Sequence, residues 1–157
     1  MNILMICLGN ICRSPMAEGV LKHYLQNLNI DHLHHVDSCG FEPCHLGEKP
    51  HYKAINVAQK HGVDISNQRQ RLFKVEDFDV FDKIFVMDNG NYNSVKSFAR
   101  SMEDMQKVDF LYNIVKPKQN IIVPDPWGGT ETDFEHSYAM IDQACKILAN
   151  NLKNNSL

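Results

Sequence analysis

The sequence predicts a single α/β domain built on a parallel sheet. Three observations predict it. Short apolar runs alternate with stretches of helical periodicity, the pattern of β–α–β units. The chain has 157 residues, enough for one core and too few for two. Hydrophobic residues make up 43% and charged residues 22%, a globular balance that excludes a fibre or a largely disordered chain. No apolar run approaches the roughly 20 residues needed to cross a bilayer. A net charge of −3 offers no footprint for nucleic acid.

The elements follow in order. Ile3-Leu4-Met5-Ile6-Cys7 is a continuous apolar run, as in a strand buried on both faces. Leu8-Gly9-Asn10 ends it. Ser14 then reads as an N-cap and Pro15 as the first helical residue. Ala17, Val20, Leu21, Tyr24, Leu25 and Leu28 share one face of that helix. Residues 34–38 read as a second strand, and 39–50 as a loop rich in Gly and Pro. Ala54, Val57 and Ala58 mark a second helix, closed at His61-Gly62. Phe81 and Ile84-Phe85-Val86-Met87 suggest a third strand, and residues 91–102 a helix. The fourth strand falls either within 108–115 or at 121–123. Pro124-Asp125-Pro126-Trp127-Gly128-Gly129 cannot be regular structure. Thr132-x-x-Glu135 reads as a capping box opening the last helix. Its apolar face holds Phe134, Tyr138, Ile141, Cys145, Leu148 and Leu152. The Asn-rich tail beyond about residue 152 is expected to fray. Neither an internal repeat nor a domain linker interrupts residues 1–157.

The cysteines bear on compartment. There are five, Cys7, Cys12, Cys39, Cys44 and Cys145, and an odd number cannot all pair internally. The N-terminal run has no basic flank or cleavage site, so a cytoplasmic protein with reduced thiols is expected. Cys39-x4-Cys44-His45 lacks a second pair at zinc spacing. The eight histidines show no ligand spacing on a predicted helix. No metal and no cofactor are expected.

The loop after the first strand carries the chemistry. In open α/β sheets, ligands bind beyond the carboxyl ends of the strands. Here that place is Cys7-Leu8-Gly9-Asn10-Ile11-Cys12-Arg13-Ser14, leading into a helix start that favours an anion. Cleaving a phosphate ester needs a nucleophile facing phosphorus and donors for the equatorial oxygens. A curled loop supplies backbone N–H groups from Leu8 to Ser14 as a nest. The Arg13 guanidinium can fork two oxygens. The same positive surroundings favour a thiolate at Cys7, to which Ser14 can donate its hydroxyl. Cys-x5-Arg alone arises by chance, but strand, Cys-x5-Arg-Ser-Pro and helix together do not read as a buried strand end beside a solvated arginine. No Gly-Lys-Ser/Thr and no Gly-x-Gly-x-x-Gly is present, which excludes a Walker loop and the dinucleotide fingerprint.

Asp125 stands on a loop stiffened by Pro124 and Pro126, which lowers the entropy of positioning it. A phenolate leaving group needs a proton, and a carboxylic acid can deliver one. On its own, Asp125 would read as an exposed turn aspartate. Trp127, the only tryptophan, either walls the pocket and stacks on a phenyl ring, with Leu8 opposite, or packs under the last helix.

Cys7-Leu8-Gly9-Asn10-Ile11-Cys12-Arg13-Ser14-Pro15 resembles the signature of the low-molecular-weight protein tyrosine phosphatases, as does the late Asp-Pro motif. The resemblance covers nearly the whole chain. It implies a four-stranded parallel sheet with helices on both faces, and hydrolysis of phosphotyrosine or small aryl phosphates without a metal. Cys7 would form a cysteinyl-phosphate, Arg13 would bind the phosphoryl oxygens, and Asp125 would be the general acid. Asn10 would shape the loop at positive φ, in a network with Ser14 and Ser38. Leu8, Gly9, Asn10, Ile11, Cys12, Ser14 and Trp127 would contact substrate. The chain is expected to act as a monomer or weak dimer.

Departures from the family are confined to the pocket's surroundings. Cys44 stands where a tryptophan is usual. An Asp-x-Arg pattern reads His51-Tyr52-Lys53, so an ion pair is expected to be lost. Asn67 or Gln68 replaces a histidine that often joins the Ser38 network, whereas Arg71 fits. Cys12 is either a disulfide guard for Cys7 or an inert small hydrophobe. Two alternatives share this fold. A thiol-dependent arsenate reductase would need relay cysteines, and none lies between Cys44 and Cys145. A non-catalytic phosphate-binding module would not depend on Asp125.

Overall fold

In the computed structural model, which describes residues 1–156, strand β1 (Asn2–Ile6) runs between two parallel neighbours. These are β2 (His35–Cys39) and β3 (Lys83–Val86), and β4 (Val108–Phe110) extends β3 in the same sense. The order is β2-β1-β3-β4, a four-stranded parallel sheet. Alternation of side chains along β1 splits its apolar run between two cores. Ile3 and Met5 face helix α1 (Arg13–Asn27), α2 (Tyr52–Lys60) and the long α6 (Glu131–Lys153). Leu4 and Ile6 face Phe73, Phe78, Phe81 and Val95 on the other side. Each such fully buried side chain contributes about 1.5–3 kcal/mol. Tyr24 Oη donates to Asp142 Oδ1 at 2.8 Å, tying α1 to α6 across that core.

The register decides where the site forms. Ile6 pairs with Cys39 on one side and with Val86 on the other. The chain therefore leaves β1, β2 and β3 at one edge of the sheet, and their following loops emerge side by side.

Several local expectations are corrected. Helix α1 begins at Arg13, with Cys12 at the N-cap and no side-chain cap, because the Ser14 hydroxyl turns instead to Cys7 and Asn10. The capping box of α6 is Thr130 with Asp133, two residues before Thr132 and Glu135. The preceding turn closes with Gly129 N donating to the Pro126 carbonyl, so the chain is already extended at Thr130 and the helix starts there. The helix expected over 91–102 is two pieces, α4 (Asn89–Phe98) and α5 (Met102–Gln106). Ala99 and Ser101 are extended between them, and the Ser101 hydroxyl caps α5. The short α3 (Asp77–Val80) went unpredicted. Of the two segments considered for the fourth strand, 108–110 pairs with β3 and turns at once into a 3-10 helix, Leu111–Ile114. Residues 121–123 form no strand; Val123 N donates to the Met87 carbonyl just beyond β3. The last helix stays regular through Lys153 because Leu152 is buried in the core. The final residue of the tail expected to fray lies outside the described residues. Among the described residues, no helix is long and apolar enough to cross a membrane.

Candidate active site

Cys7 follows directly on β1, and its loop curls over the start of α1. Its Sγ lies 3.0 Å from Ser14 Oγ, and the residue is 3% exposed. Asn10 bends the loop at φ +51°, a left-handed conformation that asparagine tolerates better than most residues. Its side chain holds the bend from three directions. Nδ2 donates to Ser14 Oγ and Ser38 Oγ, both at 2.9 Å, and Oδ1 accepts from Arg71 N at 3.0 Å. Ser38 in turn donates to Glu18 Oε2 at 2.6 Å. Gln68, one of the two expected substitutes for the histidine, donates to the Pro15 carbonyl instead, and Glu18 completes the network. Lys22 pairs with the other Glu18 oxygen, so the buried carboxylate is compensated.

Gly40 backs this loop at close range. A Cβ there would stand 2.6 Å from the Leu8 carbonyl oxygen and 2.8 Å from Asn10 N. Both obstacles are backbone and cannot rotate away. Gly40→Ala is expected to destabilise the fold by about 1–3 kcal/mol, read as a lower urea midpoint, and to weaken inorganic phosphate binding by distorting the loop. An unchanged midpoint and phosphate affinity would show that the loop accommodates the methyl group.

Arg13 is buried, 2% exposed. Nη1 donates to Asp88 Oδ2 at 2.6 Å and to the Val123 carbonyl at 3.0 Å, and Nη2 donates to Asp125 Oδ2 at 2.9 Å. Nε has no partner in the protein. Burial works against the charge, but Cys7, Asp125 and Asp88 more than offset it, holding the guanidinium above its ordinary range. Asp88 was missed by sequence reasoning. It stands just beyond the carboxyl end of β3, where ligands of such sheets bind, and that position was the available signal. Its other oxygen caps α4 by accepting from Asn91 N at 2.8 Å, so one carboxylate joins a helix start to Arg13.

Asp125 reaches the site from the loop before α6. Besides its pair with Arg13, its Oδ1 accepts from Trp127 N at 3.1 Å. The side chain is 42% exposed, so it borders a cleft rather than lying in the core. That cleft, about 220 Å³, is lined by Cys7, Leu8, Gly9, Ile11 and Cys12 on the loop side. Glu42, Cys44, His45, Asp125 and Trp127 complete it. Trp127 is 64% exposed at the mouth, which rules out packing under α6. Asn10, Ser14 and Ser38 lie behind the loop and brace it. Cys44, expected from the resemblance to stand where a tryptophan is usual, lines the cleft beside Glu42 and His45. His51-Tyr52-Lys53 makes no ion pair. Lys53 donates instead to the Gly129 carbonyl.

All five thiols are free. Burial, reinforced by Cys7 and Asp125 and opposed by Arg13, pushes the Cys12 thiol far above its usual range. It stays a thiol at neutral pH. Cys39 and Cys145 are raised chiefly by burial and serve packing. Among the described residues, no group of three or more His, Cys, Asp or Glu is placed to hold a metal ion.

A parallel α/β sheet whose first loop sets a cysteine over a helix start, with a buried guanidinium beside it, defines the class of cysteine-dependent phosphatases. The family model described as low molecular weight phosphotyrosine protein phosphatase matches residues 2–157. The chain belongs to that family, whose members are phosphoric monoester hydrolases. Its relatives include the low molecular weight phosphotyrosine protein phosphatase of Saccharomyces cerevisiae, 34% identical over 142 residues, 89% of this chain and 88% of that one. The enzyme of the same name from Gallus gallus is 31% identical over 145 residues, 92% of this chain and 91% of that one. Among solved structures, a protein tyrosine phosphatase from Entamoeba histolytica superposes with a TM-score of 0.91 at 32% identity, covering 100% of this chain and 99% of that one. A Drosophila arginine phosphatase gives 0.88 at 30% identity, covering 98% of each.

Proposed function

We propose that this chain hydrolyses aryl phosphate monoesters, phosphotyrosine in particular, through a cysteinyl-phosphate on Cys7. The observation that carries the reading is the buried Arg13 guanidinium, set in the same loop as Cys7, whose Nε–H has no protein partner. An unpaired buried donor on a cation is costly, and a phosphoryl oxygen satisfies it. Cys7 Sγ attacks phosphorus, and the bond to the phenolic oxygen breaks. The equatorial oxygens take up the loop N–H groups and Arg13. A phosphoryl dianion competes with Asp125 for Arg13; the released carboxylate takes up a proton from solvent and, as the carboxylic acid, donates it to the leaving oxygen. In the second step the Asp125 carboxylate takes a proton from water as that water attacks the phosphocysteine. Inorganic phosphate leaves and Cys7 is restored.

Leu8, Ile11 and Trp127 give the cleft apolar surfaces that suit a flat phenyl ring. The odd cysteine count and free thiols support a reducing, cytoplasmic setting. The chain works as one domain over 1–157, a monomer or weak dimer, on a phosphotyrosine protein or a small aryl phosphate, without nucleic acid or membrane.

The test is hydrolysis of an aryl phosphate in EDTA. Turnover is expected to persist, and Asp125→Asn is expected to lower it on the order of 10²–10⁴. Activity that returns only with added metal would overturn the mechanism. A wild-type protein that binds phosphate without turnover would be a binding module.

A further inference from the structure

The loop carrying Asp125 has no regular structure, yet its ends are tied to α6. Ser137 Oγ donates to the Pro124 carbonyl at 2.8 Å, and Asp133 accepts from Thr130 N at 2.7 Å. Between those anchors Pro126 is buried, but the chain just beyond it has little packing. Trp127 is exposed, and nothing lies within 4 Å of where a Cβ on Gly128 would stand. Two tethers reach this stretch from other helices: Arg13 on α1 pairs with Asp125 itself, and a second comes from α2. Lys53 Nζ on α2 donates to the Gly129 carbonyl at 2.7 Å, across 76 positions of sequence.

The tether is itself well placed. The ammonium lies 5.9 Å from the ring centroid of Phe134 and 6.0 Å from that of Tyr52, within cation–π range. His51, beside it, caps α2 by accepting from Lys53 N at 3.2 Å, and its ring stacks on Phe134 at 5.3 Å. The first turn of α2 is thus held against the first turn of α6. A cationic donor on a carbonyl is a stronger bond than a neutral pair. It adds a hold from α2 to the stretch between Asp125 and the Thr130 cap.

We propose that Lys53 is a positioning residue for the reaction. Its grip on the Gly129 carbonyl holds the loop so that Asp125 faces the leaving oxygen. The inference rests on Asp125 being the general acid. Lys53 does not touch substrate, so its effect must appear only where proton donation matters. Phenolate is a basic leaving group that needs a proton, whereas 2,4-dinitrophenolate departs without one.

The experiment compares kcat/KM for phenyl phosphate and 2,4-dinitrophenyl phosphate in wild type, Lys53→Met, Lys53→Arg, Asp125→Asn and the double variant Lys53→Met/Asp125→Asn. Methionine keeps an unbranched stem against Phe134, and a melting curve checks that the fold survives. Lys53→Met is expected to lose about tenfold on phenyl phosphate and less than about twofold on the dinitrophenyl ester, in line with the cost of misplacing a catalytic group. Inhibition by inorganic phosphate should stay unchanged. Lys53→Arg should restore phenyl phosphate turnover to within about threefold, since it also donates from a cation. In the Asp125→Asn background, Lys53→Met should cost nothing more, because coupled residues do not add. Equal losses on both esters, a loss that persists without Asp125, or no loss on phenyl phosphate would each overturn the role of Lys53 while leaving Asp125 intact. If Asp125→Asn itself spares phenyl phosphate, the general-acid reading falls and the inference falls with it.

Discussion

Cys7→Ser is expected to abolish turnover of aryl phosphates, by at least about 10⁴-fold, while inorganic phosphate still binds within a few-fold of wild type. The two effects separate for a structural reason. Serine preserves the size of the side chain and its contact with Ser14 Oγ, now at 3.0 Å from Sγ. The bend at Asn10 and the Arg13 contacts do not involve Cys7, so the anion site keeps its shape. What is lost is the nucleophile. An alkoxide is far harder to populate than a thiolate, and the loop offers no base beside position 7 to create one. Phosphate affinity by calorimetry and turnover by phenol release make the comparison. Iodoacetate adds a second readout: labelling at Cys7, blocked by phosphate, with Cys12 unlabelled because burial keeps it a thiol. A Cys7→Ser protein retaining more than about one per cent of turnover would contradict covalent catalysis.

Arg13→Lys is expected to lower kcat/KM by about 10³–10⁵, the range for a guanidinium that stabilises a transferring phosphoryl group. Lysine keeps the charge but is a single point of donation. It cannot hold Asp88, the Val123 carbonyl and Asp125 together and still offer a free N–H to the substrate. Arg13→Met goes further, because Asp88 and Asp125 then face each other without a cation. Breaking a buried ion pair costs about 3–5 kcal/mol. Asp125 is 42% and Asp88 24% exposed, so water screens part of this, and the urea midpoint should report the lower end or less. Retention of wild-type kcat/KM in Arg13→Lys would show that charge alone suffices, against the bidentate reading.

These two variants touch residues that could be found by reading along the chain. Cys7, Asn10, Arg13 and Ser14 lie within eight consecutive positions, and their chemistry is set by one turn of backbone between an apolar strand and a helix. The burial of β1 on both faces follows from that local pattern, whereas the bend at Asn10 came only from the family resemblance. Asp125 was weaker. Its Pro-flanked loop was legible, but its pairing with Arg13 spans 112 positions. Asp88 and Glu18 escaped altogether, and Lys53 was read only as part of a pattern that had lost an ion pair. Each is an ordinary charged residue in its own neighbourhood, with Asp88 75 positions from Arg13 and Lys53 76 from Gly129. The cap of α6 was misplaced for a related reason. Thr130-x-x-Asp133 and Thr132-x-x-Glu135 both fit the motif, and the turn from Pro126 to Gly129 selects between them.

Periodicity and loop chemistry therefore point to the class of fold, the anion loop and the proposed nucleophile, because these depend on residues adjacent along the chain. The company Arg13 keeps depends on the parallel register. Ile6 aligned with Val86 and Cys39 brings the chain after β1, β2 and β3 to one edge of the sheet. The packing of α1 and α2 on α6 then carries Asp125 and Lys53 to the same place. Burial and strand pairing act across distances that a linear pattern does not record, and they determine which carboxylates hold the arginine and which lysine holds the acid loop.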